Sequence, residues 1–188
     1  MSTQLIPNTT GAFEAGPTVG VPFAANFSFE YFDAMNQSST ALSLPTVTAG
    51  TQVVNPSLAA ILVQFSLGSK TPPSPSVVIQ NHTTPGVVAG FLIDNIVGTP
   101  ATLAAPGYGG AGTGQVNIFP TGRVVRNGLI LAIADNTITA GHLVTISGTT
   151  DGRTADGGAV NAAITGAMVG LAATAATVGQ GVWVWARL

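Results

Sequence analysis

Apolar residues along this chain come in short runs of Val, Ile, Leu and Phe, and Gly, Pro or a polar cluster closes each run within a few residues. No segment sustains apolar residues at i, i+3, i+4 and i+7 against a charged opposite face, the spacing of an amphipathic helix. The runs read as short strands joined by turns, and the fold class expected is all-β: a small β-barrel or β-sandwich of short antiparallel strands. Strands are expected at Thr46-Val-Thr, Thr51-Gln-Val-Val, Ala59 to Leu67, Ser76 to Gln80 and Gly86 to Ile93. Lys70-Thr-Pro-Pro-Ser-Pro reads as an exposed loop, because proline removes a ladder donor. Gly98 to Gly114 reads as a second long loop.

The last third has the same grammar. Gln115-Val-Asn-Ile-Phe is a strand closed by Pro120. Gly122-Arg-Val-Val-Arg and Leu129-Ile-Leu-Ala-Ile flank Asn127-Gly128, a strong hairpin-turn signal. Asp135-Asn136 marks another turn. Leu143-Val-Thr-Ile-Ser runs into Gly148 to Gly158, a polar hairpin tip in which Arg153 is expected to balance Asp151 and Asp156. Ile164 to Leu171 and Gly181 to Leu188 complete the chain. In the last of these, Val182, Val184 and Ala186 alternate with Trp183, Trp185 and Arg187, so both faces are apolar. Such a strand is either central in a closed core or presents its Trp face to another subunit, and Trp and Arg favour the interface.

Residues 1–45 differ from the rest. Pro and Gly break up the first 22, and an aromatic cluster follows: Phe23, Phe27, Phe29, Tyr31 and Phe32. In an extended strand Phe27, Phe29 and Tyr31 share one side. This segment is either an N-terminal arm laid on a neighbouring subunit or an edge strand of the same domain. Residues 46–188 form the β domain, with a division into lobes 46–120 and 121–188 as a further option.

Composition sharpens the picture. Charged residues are 6% of the 188, against roughly 25% in an average soluble domain, while 46% are hydrophobic. Disorder couples high charge to low hydrophobicity, so this chain folds. A surface with so few charges is poorly protected against association, which points to an assembly subunit. Five basic residues at a net charge of −2 are too few for a phosphate-binding patch, so no direct nucleic-acid partner is expected. The absence of cysteine excludes disulfides, thiolate metal sites and cysteine nucleophiles. The N-terminus has neither a basic n-region nor a long apolar h-region, so it does not read as a signal peptide. Ala159 to Val178 is long enough for a membrane span, but it is mostly Ala with interspersed Thr and Asn, and no membrane partner is expected.

The usual signs of chemistry are weak. Gly107-Tyr-Gly-Gly-Ala-Gly112 matches G-x-G-x-x-G, but a strand-like segment follows where a dinucleotide site needs a helix. His82 and His142 are the two histidines, and no serine stands in a G-x-S-x-G elbow. Asp151 and Asp156 lack the EF-hand spacing. No catalytic, cofactor or metal residues are assigned. Phe23, Phe27, Phe29, Tyr31, Trp183, Trp185 and Arg187 are the interface candidates.

Three phrases of the C-terminal third, Thr139-Ala-Gly-His-Leu-Val-Thr-Ile, Ile164-Thr-Gly-Ala-Met-Val-Gly-Leu-Ala-Ala-Thr-Ala-Ala and Gly179-Gln-Gly-Val-Trp-Val-Trp-Ala-Arg-Leu, resemble the capsid decoration, or cement, proteins of tailed bacteriophages. The resemblance covers about fifty residues of strand-and-turn pattern. It implies a non-enzymatic virion protein on the capsid exterior, made in the host cytoplasm. Its partners would be the major capsid protein and copies of itself, a trimer above all, and it would stabilise the shell through apolar and β-augmentation contacts. The alternatives are another virion part (head fibre, tail or major shell subunit), a carbohydrate-binding β-sandwich using Trp183 and Trp185, and a hydrolase dependent on His82 or His142.

Overall fold

The computed structural model describes residues 30–36, 40–47, 57–66, 75–96, 104–106, 115–117, 121–163 and 166–188. Every regular element among them is a β-strand. These are β1 (Glu30–Asn36), β2 (Thr46–Val47), β3 (Ser57–Leu58), β4 (Ile61–Phe65), β5 (Ser76–Ile79), β6 (Val88–Leu92), β7 (Ala104–Pro106), β8 (Gln115–Asn117), β9 (Thr121–Ile133), β10 (Leu143–Ile146), β11 (Thr154–Gly158), β12 (Met168–Ala172) and β13 (Gly181–Arg187). The all-β expectation holds. Within it, β1 and β5 run parallel, an exception to the antiparallel rule.

Nine strands form one sheet in the order β1-β5-β4-β6-β9-β13-β12-β10-β11, and β1 also pairs with β9. That extra pairing closes a five-membered ring, β1-β5-β4-β6-β9. A second ring, β9-β13-β12-β10-β11, closes through the Ala134–Thr154 bridge and the bond from Asp135 N to Thr154 O at 2.8 Å. Closure removes exposed sheet edges, which a chain with few charges could not otherwise protect.

Strand β9 belongs to both rings, and its side chains show how. Val124 enters a core with Ala34, Val63, Val77 and Leu92, inside the first ring. Val125, Ile130, Ala132 and Ala134 enter a second core with Phe91, Val144, Val169, Val182 and Val184. Strict alternation would put Val125 and Ile130 on opposite faces. A register shift opposite Glu30/Tyr31 inserts Arg126 as an extra residue and changes the parity. The turn expected at Asn127-Gly128 is therefore absent: both residues lie inside a 13-residue strand, where Asn127 faces Glu30 on β1 and Arg187 on β13, and Gly128 pairs with Ala186. Cross-strand partners along the whole segment outweigh the local turn preference.

Residues 30–36, assigned from sequence to an N-terminal arm or edge segment, form a strand integral to the first ring, with Ala34 and Met35 buried. The stretch weighed as a membrane span contains β12 and loops, and no helix among the described residues is long and apolar enough to cross a membrane.

Candidate functional site

The final strand explains its two apolar faces. Val182, Val184 and Ala186 fill the second core. On the other face Trp183 is 7% exposed and packs with Val47, Ala59, Leu131 and Ile133, beneath the β2–β3 ribbon. Trp183 is thus spent within its own fold. The ribbon does not cover the next row. Register aligns Leu129, Trp185, Leu171 and Leu143 across β9, β13, β12 and β10, four apolar residues in one row, of which Leu143 is buried and Leu171 is exposed. Leu129 packs against the Trp183 cluster, while Trp185, Leu171 and Leu143, with Met168, line an open groove of about 480 Å³, bounded by Asn127 and Arg187. Met168 is 41% exposed and Leu171 36%. Gly170 keeps the floor tight: a Cβ there would stand 2.2 Å from the Trp185 carbonyl oxygen.

Of the interface residues read from sequence, the structure brings Trp185 and Arg187 to this groove. It places Tyr31 on β1, half-exposed. Phe23, Phe27 and Phe29 lie outside the described residues. Glu30, the first described residue of the chain, accepts a hydrogen bond at Oε2 from Asn127 Nδ2 at 2.9 Å, which sets it at the groove's rim. Leu143, Met168 and Leu171 escaped the sequence reading. Alternation alone would put Met168 and Leu171 on opposite faces; a register shift opposite Val144/Thr145 leaves Val169 as an extra residue, so that both face out while Val169 and Ala172 are buried, and no local signal carried this.

The titratable residues serve connections. His82 Nδ1 bonds to Asp151 Oδ1 at 2.6 Å, and His142 Nδ1 lies 3.0 Å from both oxygens of Asp156. Arg153 does not balance these aspartates. It reaches Asp135 at 3.8 Å, and the Asp135 carboxylate also accepts the hydroxyls of Ser147 and Thr149. Asp94 holds Arg123 in a bidentate pair, Nε to Oδ2 at 2.8 Å and Nη2 to Oδ1 at 2.9 Å. That pair keeps the Asp94 carboxyl below its ordinary range. Burial pushes Asp156 upward, but the N–H groups of Thr139 and Gly158 and the His142 ring outweigh it, and its pKa is lowered. The same balance lowers Asp135: burial opposes, and the Ser147 and Thr149 hydroxyls prevail. Among the described residues no three His, Asp or Glu side chains cluster closely enough to hold a metal ion. The G-x-G-x-x-G run lies outside the described residues; β7 and β8, which flank it, pair as an antiparallel hairpin, so a strand and not a helix follows.

No family model matches the sequence, and no curated protein matches it. Among solved structures the chain is similar to one described as the head fiber gp8.5 N base in bacteriophage phi29. The identity is 16% and the TM-score 0.41, over 86% of this chain and 98% of that one.

Proposed function

We propose that this chain is a non-enzymatic structural protein of a virion, which acts by packing on a capsid shell in the manner of a decoration protein. The observation that carries the reading is the way the chain disposes of its few charges. Four of its seven acidic side chains, Asp94, Asp135, Asp151 and Asp156, are turned onto Arg123, Arg153, His82 and His142 of the same chain. An outer surface already poor in charge is left with less of it for repelling neighbours, which suits a subunit destined to be covered. The phrases that resemble decoration proteins also come together in space, as β10, β12 and β13 of the second ring. Binding then draws on apolar area, at about 25 cal/mol per Å² buried, repeated over many copies.

The partners in this reading are the major capsid protein and copies of the chain itself, with a trimer favoured. Light scattering on the purified chain tests it: a discrete small oligomer is expected, and a monomer at all concentrations would count against the symmetric clamp. His82→Ala and His142→Ala are expected to change stability alone. A sugar-binding module would have to use Trp185 without Trp183, which is buried, and a glycan-array signal lost in Trp185→Ala would replace the present reading.

A further inference from the structure

We infer that a second copy of the chain docks on the groove over β13, β12 and β10, seating its Tyr31 there and setting its Asp33 against Arg187. The inference rests on the reading that copies of the chain associate, and it names the two faces that meet.

The charges select the partner. Asp94, Asp135, Asp151 and Asp156 are held by basic side chains of their own chain, and Glu30 is held by Asn127. Among the described residues Asp33 is then the one carboxylate that no hydrogen bond or ion pair engages. It is exposed and faces Arg123 across the ladder, where the guanidinium is already clasped by Asp94. The described arginines divide in the same way: Arg123 and Arg153 are paired, Arg126 is half-buried, and Arg187 is exposed with no ion pair among the described residues. Asp33 and Arg187 cannot meet within one chain. They stand opposite Arg123 and Asn127, four residues apart along β9 and on its two sides, which separates them by roughly 16 Å.

Each of the two charges sits beside an apolar feature. Phe32 and Ala34 face the first core, so Tyr31 and Asp33 share the outer face of β1, with Tyr31 51% exposed. Arg187 bounds the groove of Trp185, Leu171, Leu143 and Met168 on the second ring. An exposed tyrosine next to a carboxylate complements an apolar groove next to a guanidinium, and Tyr, Trp and Arg are the side chains on which interfaces most often turn. Knob and groove lie on different faces, so the contact is heterologous, and such contacts close into rings when the rotation permits, as in a trimer. One chain carries both halves, so a second copy is the occupant.

Light scattering on the full chain tests this by exchange of charge. Asp33→Arg and Arg187→Asp are each expected to raise the concentration at which the oligomer dissociates at least about ten-fold, and the two together in one chain to bring it back to within about three-fold of the unsubstituted protein. A double variant no better than the single ones would overturn the inference, and so would single variants that leave the oligomer unchanged; either result leaves self-association itself standing. An unsubstituted chain that stays monomeric at all concentrations would overturn both. Mixing gives an independent readout. Tyr31→Ala removes the knob and Met168→Asp spoils the groove, so each variant is expected to be monomeric alone, while their equimolar mixture forms a dimer through its one intact knob and one intact groove. A mixture that stays monomeric would overturn the inference. All four positions are exposed, so the urea midpoints of these variants are expected to stay near that of the unsubstituted chain.

Discussion

Asp151 Oδ1 accepts both the ring Nδ1 of His82 at 2.6 Å and the backbone N–H of His82 at 2.9 Å, joining residues 69 positions apart. His82 lies between β5 and β6 of the first ring, and Asp151 lies at the β10–β11 tip of the second. Beside them Gly152 donates to Gln80 O at 3.0 Å, and its carbonyl accepts Leu62 N at 2.8 Å. The polar hairpin tip is therefore a strap between the two closures.

The acid side of the stability curve follows from these aspartates. The folded pKa values of Asp94, Asp135, Asp151 and Asp156 are lowered, that of Asp151 chiefly by the His82 backbone N–H. A carboxylate with a lowered folded pKa stabilises the fold above its unfolded value of about 3.9, and that contribution is lost as pH falls through the folded value. Urea midpoints are expected to hold steady from pH 7 to about pH 5 and to fall steeply below about pH 4. A midpoint unchanged at pH 3 would refute this.

The two histidine partners are expected to differ in weight. Asp156 is the more buried and accepts bonds from Thr139 N, Gly158 N and His142, so Asp156→Asn is expected to cost about 1–3 kcal/mol. Asp151 is half-exposed, and Asp151→Asn is expected to cost less than about 1 kcal/mol. Chemical denaturation of the two variants decides the order.

Two glycines are fixed by contact and not by turns. A Cβ on Gly170 would meet Trp185 O at 2.2 Å, and one on Gly90 would meet Val125 O at 2.6 Å and Val124 Cγ1 at 2.7 Å. Gly90 also has φ +152°, which side-chain-bearing residues rarely adopt. Each alanine substitution is expected to destabilise by about 1–3 kcal/mol, read as a lowered melting temperature. Gly141→Ala meets no atom within 4 Å, so any cost there comes from its φ of +81° alone.

The tryptophans separate core from surface. Trp183→Ala empties a site under the β2–β3 ribbon and is expected to cost about 3–5 kcal/mol. Trp185→Ala, at the groove, is expected to cost clearly less in the same denaturation assay.

Sequence by itself determined the class of this protein and the positions of most of its strands. Gly, Pro and polar clusters punctuate runs rich in Val and Ile, and that local signal survived wherever a segment's own preference and its neighbours agreed, as at Ser76–Ile79 and Gly181–Arg187. Both apolar faces of the last strand were also legible. Which face met what was decided by the fold, because the β2–β3 ribbon shields Trp183 and stops short of Trp185. Asn127-Gly128 shows the limit of local signals: a dipeptide with turn chemistry stays extended when partners on β1 and β13 bond it along its length. The ring closures, the bulge at Arg126 and the pairing of each histidine with an aspartate likewise belong to tertiary structure alone. Each joins residues far apart in the chain, and only cross-strand hydrogen bonding and the exclusion of water from two cores select those pairings over others that the same short strands could make.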